Sequence, residues 1–256
     1  MPISPKRMPF MQHMKELRKR LTVVIAVLSV LTLVGYYFSD EIYRLLLGPM
    51  LPVMGDKGGY TIDLLEAMAN RFRLGIFGAV VVSSPLIIYE ALAFFVPALK
   101  TKERRWFGWT ALAAGLLFLA GVAFCYAFIL EPSAQWLVDQ SGETFQLMLR
   151  AQSAMTFAMW FLAGFGLAFE VPVVVFYLVY FNVVPYAKLR KNWRVVWVAI
   201  VIIASMITPD WNPWSMAALS GAMIALFEAS MLLVRLMLSR KIKASAMADV
   251  DDDEDE

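Results

Sequence analysis

Histidine and cysteine are almost missing from these 256 residues: the chain has one of each, His13 and Cys125. A single cysteine excludes an internal disulfide, and this one lies in an apolar run. A single histidine leaves no material for a histidine-based metal site. It also supplies no base for a membrane-embedded nucleophile, because His13 sits in the polar N-terminal stretch. Neither a G-x-x-x-x-G-K-[ST] loop nor an H-E-x-x-H segment occurs, so ATP hydrolysis and metalloprotease chemistry lack their residues. No cofactor is implied and no internal repeat is evident. The first apolar run is long enough to span a bilayer and no A-x-A-like cleavage site follows it, which argues against a cleavable signal peptide. Charge is scarce as well. Only 17% of residues are Asp, Glu, Lys or Arg, against about 25% in a soluble domain.

Apolar residues fill the gap, at 60% of the chain and in long blocks, which is the composition of a polytopic membrane protein. Six runs are expected to form helices: Leu21–Phe38, Leu74–Val96, Trp106–Leu130, Ala154–Phe181, Val195–Ile207 and Trp214–Val234. Between the first two, residues 39–73 read as a short interfacial helix broken at Gly48-Pro49, a turn at Gly55–Gly59, and an amphipathic lead-in. Pro85 would free the Val81 carbonyl and bend the second span. Pro97 ends that span, Glu131-Pro132 stops the third, and residues 133–152 read as a loop with some helix. The fifth run has about thirteen residues, roughly 20 Å of helix against a hydrocarbon core of roughly 30 Å. The fifth and sixth runs therefore form a re-entrant hairpin or cross a locally thinned bilayer, and the small cost of mismatch favours the second. The fold class is all-α, six transmembrane helices in one membrane domain over residues 1–238. Residues 239–256 form a basic and then acidic tail, expected to be disordered.

Net charge is +2, but 249–256 carry seven acids, and removing them leaves +9 on the rest. With six spans, eighteen Lys and Arg fall on the side of both termini and five on the other. The positive-inside rule puts both termini, including residues 1–20, in the cytoplasm.

The chemistry left to consider is carboxylates in two places. At the cytoplasmic rim, Glu16 and Glu103 each stand alone inside a basic cluster. They are either local charge balance or acceptors for a guanidinium-rich partner, since Arg–carboxylate pairs are bidentate and can specify arginine over lysine. The basic residues around them would also meet anionic lipid head groups. Within the bilayer lie Glu90, Glu170 and Glu228. Glu170 is near mid-depth, two residues before Pro172, which removes the hydrogen bond to the Ala168 carbonyl. It is either a neutral carboxyl bonded to a neighbouring helix, or a docking point for a partner helix or a proton-relay group. For Glu90 and Glu228, nearer the interface, snorkelling to the head-group region or pairing with Lys or Arg is the plain explanation. Asp210 reads as a turn residue.

Five segments, in order and in register, resemble the TatC family. They are His13–Leu21 (HMKELRKRL), Ser84–Leu99 with its following loop (SPLIIYEALAFFVPALKTKERR), Phe169–Pro172 (FEVP), Ser205–Asp210 (SMITPD) and Leu226–Glu228 (LFE). The resemblance covers essentially residues 10–238. It implies a concave bundle with short fifth and sixth helices in the cytoplasmic (inner) membrane. It implies a receptor for twin-arginine signal peptides and the core of a translocase that exports folded proteins using the proton-motive force. Single-span TatA- and TatB-like proteins, membrane lipids and further copies of the chain would be its partners; nucleic acid would not. Glu16, Leu17, Arg18, Phe94 and Glu103 are implied to bind the signal peptide. Glu170, Met206 and Thr208 are implied to meet partner helices, with Pro49, Pro85, Pro172 and Asp210 structural. One departure is Trp214, which stands near the place where many relatives carry glutamine. The alternative function is a proton- or ion-coupled small-molecule transporter relaying through Glu90, Glu170 and Glu228, although no paired interrupted segments suggest an inverted repeat.

Overall fold

The computed structural model describes residues 10–54, 59–94, 104–140, 148–180, 183–208 and 212–237. Helices account for nearly all of the described residues, and the sole β-type pairing among them is an isolated bridge between Tyr60 and Arg150. Among the described residues, five segments are long and apolar enough to cross a membrane: Met14–Tyr37, Leu64–Ala93, Gly108–Asp139, Ala151–Tyr180 and Pro213–Leu236. Packing divides the chain into two compact units, Met1–Ala163 and Gly164–Glu256.

The first unit is built on two long antiparallel helices, α1 (Phe10–Tyr37) and α4 (Leu64–Ala93). They cross at Gly35 and Gly75. A Cβ on Gly35 would lie 2.9 Å from the Gly75 Cα, and one on Gly75 would lie 2.8 Å from the Thr32 carbonyl oxygen. Only glycine at both positions lets the backbones approach this closely, the small-residue packing typical of membrane helices. Beside the crossing, the Tyr36 and Phe72 rings pack at 4.6 Å. α1 starts at Phe10 and not near Leu21, so the basic stretch is a continuation of the first span and shares its helical register.

Between α1 and α4 the chain forms α2 (Ser39–Leu47), a 3-10 turn at Gly48–Met50 and α3 (Leu51–Met54). Pro49 sits in the 3-10 turn, and the Tyr126 hydroxyl donates at 2.7 Å to the Leu45 carbonyl, a second donor beside the Gly48 N–H at the end of α2. α4 runs on through Pro85. The Val81 carbonyl that the proline leaves free accepts from the Ser84 hydroxyl at 2.8 Å, so the side chain before the proline repairs the break it causes. Gly115 of α5 (Arg104–Phe124) lies flat against Pro85, where a Cβ would come within 2.8 Å of the proline Cα.

The third span does not stop at Glu131-Pro132. α5 passes through a π-helical turn at Cys125–Ile129, in which the Leu130 N–H donates five residues back to the Cys125 carbonyl, and re-forms as α6 (Leu130–Asp139). Pro132 then occupies the first turn of α6, where a missing donor is tolerated. The expected loop over 133–152 is thus helix to Asp139, with α7 (Ala151–Ala168) starting at its far end.

The second unit holds the end of α7, then α8 (Val171–Tyr180), α9 (Tyr186–Lys191), α10 (Trp193–Ile207) and α11 (Pro213–Met237). The long fourth run is two helices, because the chain leaves the α-helix at Phe169 and Glu170 before Pro172. α8 and α10 both pack on α11. Gly164 gives Ile207 its place: a Cβ there would be 2.5 Å from the Ile207 Cγ2. α10 has 15 residues, about 22 Å of helix, so the fifth helix is as short as its sequence requires. Asn212 caps α11, its side-chain oxygen accepting the Trp214 N–H at 2.9 Å with Pro213 at the first helical position.

Candidate functional site

At the end of the α1–α4 pair remote from the glycine crossing, Arg20 joins the two helices through two carboxylates. Its Nη2 donates to Glu16 Oε1 and its Nη1 to Glu90 Oε2, each at 2.7 Å. Glu16 lies one turn before Arg20 on α1, and Glu90 is in the last turn of α4. The cluster is partly shielded, with side-chain exposures of 25% for Glu16, 23% for Arg20 and 14% for Glu90. Arg20 Nε is buried without a partner. Glu90 thus has the arginine partner its interfacial position suggested. Glu16 is also paired within the chain, with Arg20 one turn on, as the charge-balance alternative has it, and keeps a part-exposed carboxylate for the other.

The other faces of this stretch of α1 are open. Met11, Met14, Leu17 and Leu21 are exposed apolar side chains, interleaved with exposed Lys15, Arg18 and Lys19. Met11, Met14, Lys15, Leu17, Arg18 and Leu21 outline a shallow groove of about 370 Å³. Phe94 follows α4 directly, its N–H donating to the Glu90 carbonyl at 3.2 Å. Four of the five expected peptide-binding residues (Glu16, Leu17, Arg18 and Phe94) therefore belong to the same end of this helix pair. Glu103 lies outside the described residues.

The opposite end of α4 holds a second arginine–carboxylate pair. Glu66 is 3% exposed in its side chain and accepts four donors: Arg150 Nε at 2.9 Å, Arg150 Nη2 at 3.1 Å, the Ile62 N–H at 3.0 Å and the Asp63 N–H at 3.4 Å. It belongs to a capping box with Asp63, which starts α4. The Glu66 carboxylate holds the Arg150 guanidinium above its usual range. The flanking strands of chain are pinned too. Tyr60 N–H donates to the Leu149 carbonyl and Ala151 N–H to the Tyr60 carbonyl, both at 3.0 Å. Gly59, at φ +114°, makes the tight entry, and its missing Cβ leaves room for the Ala151 backbone. Sequence reasoning passed over Glu66, Arg150 and Arg20 as functional or structural partners. The spacing Asp63-x-x-Glu66 before an apolar run was a readable sign for the first of them.

In the second unit Glu170 stands at the break between α7 and α8. Its carbonyl accepts the Val173 and Val174 N–H groups at 3.0 Å, while its Oε1 is buried with no hydrogen-bond partner. An unmet buried carboxyl oxygen is unfavourable, and this one sits where Pro172 interrupts the backbone ladder. Met206 is 80% exposed on α10. Thr208 is turned inward, its hydroxyl donating to the Ala204 carbonyl at 3.0 Å to end the helix. Asp210 lies outside the described residues. Glu228 accepts from Arg190 at 2.8 Å, so it has the pairing expected of it. No group of His, Cys, Asp and Glu fit to hold a metal ion occurs among the described residues. Glu16 and Glu90 can accept guanidinium donors, as Arg20 shows.

The family model described as Sec-independent protein translocase protein (TatC) matches residues 12–221. A Sec-independent protein translocase protein TatC of Deinococcus radiodurans is 30% identical over 232 residues, covering 89% of this chain and 86% of its own. Its counterpart in Escherichia coli K12 is 29% identical over 234 residues, covering 91% and 90%. Two crystal structures described as the twin-arginine translocase receptor TatC share the fold. One, in DDM, has a TM-score of 0.71 and 25% identity, covering 86% of this chain and 98% of that one; the other has a TM-score of 0.68 and 26% identity, covering 88% and 98%.

Proposed function

This chain belongs to the Sec-independent protein translocase (TatC) family, and on that premise we propose which of its residues receive the signal peptide and which meet partner helices. It is a multi-pass membrane protein and a translocase component. As the twin-arginine signal-peptide receptor and translocase core, it serves the export of folded proteins driven by the proton-motive force. It acts by binding, without enzymatic chemistry of its own. Glu16 and Glu103 accept the two arginines, Leu17 and Phe94 supply apolar contact beside them, and Arg18 shapes the local field. The observation that carries this reading is Glu16 itself: a part-exposed carboxylate at the end of the α1–α4 pair, already holding a guanidinium at 2.7 Å.

Both termini lie in the cytoplasm of an inner-membrane protein, which the eighteen-to-five division of basic residues supports. TatA- and TatB-like single-span helices dock on the second unit. Glu170 offers its unmet carboxyl oxygen there, and Met206 stands out on α10. Thr208 serves that contact at the end of α10, and Asp210 has a structural role after it. Pro49, Pro85 and Pro172 set the backbone, self-association builds the larger complex, and residues 1–238 work as one membrane domain. A proton relay through Glu90 and Glu228 is disfavoured, because each is held by an arginine.

The test uses two variants in membranes. Glu103→Lys is expected to remove signal-peptide crosslinking while the protein stays inserted. Glu170→Ala is expected to keep crosslinking and lose export of a folded substrate. Wild-type crosslinking to Glu103→Lys would overturn the peptide assignment, and normal export by Glu170→Ala would overturn the partner assignment.

A further inference from the structure

We propose that Arg20 is the positioning residue of the arginine site: shared between Glu16 and Glu90, it cancels one of two carboxylate charges and leaves one for a single peptide guanidinium. This rests on the reading of Glu16 as a signal-peptide residue. Three observations carry it. Glu16, Arg20 and Glu90 form a closed cluster of net charge −1, held at 2.7 Å on both sides. Glu16 uses one oxygen on Arg20, and each carboxylate oxygen has lone pairs to spare for a second fork of donors. The neighbouring side chains Lys15, Arg18 and Lys19 are all cationic and exposed.

The last point decides specificity. In so basic a setting, Coulomb attraction alone does not draw a cation to Glu16, because the nearby positive charges oppose it. A lysine ammonium is a point charge and gains little there. An arginine adds two directed hydrogen bonds in the plane of the carboxylate, so it binds where lysine does not. Arg20 maintains that condition by neutralising Glu90. Without Arg20, two bare carboxylates on adjacent helices would attract any cation.

The pairing also has an order built into it. The bond from Arg20 to Glu16 is between neighbours four apart on one helix, whereas the bond to Glu90 reaches across to α4 and is the more shielded of the two. Exposed i,i+4 pairs are the weaker kind. On peptide binding Arg20 keeps Glu90 and yields part of Glu16, and the charge closes: Arg20 with Glu90, the peptide arginine with Glu16.

The experiment measures binding of fluorescent peptides carrying Arg-Arg or Lys-Lys to the full-length chain in detergent micelles, with melting temperature followed in parallel. Arg20→Gln is expected to lower the Arg-Arg over Lys-Lys preference at least about fivefold, chiefly by tighter Lys-Lys binding with a steeper salt dependence. Arg20→Gln with Glu90→Gln restores the net charge and is expected to bring the preference back to within about twofold of the parent. An unchanged preference in Arg20→Gln overturns the proposal. So does a double variant that loses both peptides in step with its melting temperature, which is what a purely structural clamp would give. Glu16→Gln separates the two levels. If it binds Arg-Arg as the parent does, the underlying reading of Glu16 falls; if it loses Arg-Arg while Arg20→Gln keeps its preference, only the role of Arg20 falls.

Discussion

The two ends of α4 carry the same chemistry and do different things with it. At one end Glu66 meets Arg150 and two backbone N–H groups, so four donors occupy its carboxylate and its side chain is out of solvent. At the other end two carboxylates, Glu16 and Glu90, share one guanidinium, and a negative charge is left over on part-exposed side chains. Saturation distinguishes them. A carboxylate with four donors has nothing further to offer and fastens the chain. A carboxylate with one donor and a quarter of its surface exposed still has capacity to recognise something. An arginine–carboxylate pair is therefore no guide to function until its remaining lone pairs have been counted.

Exchanging the damage between the two ends gives the sharpest contrast. Glu16→Gln is expected to weaken binding of a twin-arginine peptide by about tenfold or more, while the melting temperature stays within about 2 °C of the parent. Glu66→Gln is expected to do the reverse. It removes a charge from the Arg150 clasp and the start of α4, lowering the melting temperature by several degrees, and peptide affinity should change by less than about twofold because the ends do not share partners. If both variants lost stability and binding together, the distinction between a filled and an unfilled carboxylate would fail.

A smaller effect tests the joint between the ends. Gly75→Ala places a Cβ 2.8 Å from the Thr32 carbonyl oxygen and should cost about 1–3 kcal/mol as the helices are forced apart. Chemical denaturation would read this loss, and the preference of the peptide site for Arg-Arg should persist. A variant of parent-like stability would mean that the crossing is looser than the glycine pair implies.

The six apolar runs were legible because hydropathy in a bilayer leaves little freedom: a run long enough to span does so, and the fifth was too short by its residue count alone. Punctuation was read less well. Pro132 looked like a stop, yet a π turn ending three residues earlier moved it into the first turn of a new helix, and nothing local in Cys125–Ile129 announces that turn. Pro85 looked like a break, and the repair was written one residue before it in Ser84. At the site, Glu16 stood out as a lone acid in a basic cluster. Arg20 did not, because its significance comes from Glu90, seventy residues away, and a run of charges on a helix looks the same whether it is solvated or bridged. Arg150 was hidden likewise, its partner Glu66 being eighty-four residues away.

The measurement that bears most directly on the central claim is site-specific crosslinking from position 17, where Leu17 is exposed beside Glu16. A photoreactive residue there would be presented with signal peptides carrying Arg-Arg or Lys-Lys. The account predicts crosslinks to the Arg-Arg peptide that disappear with Lys-Lys and with Glu16→Gln. Equal crosslinking to both peptides, or none to either, would contradict it and leave the open end of the α1–α4 pair without its assigned role.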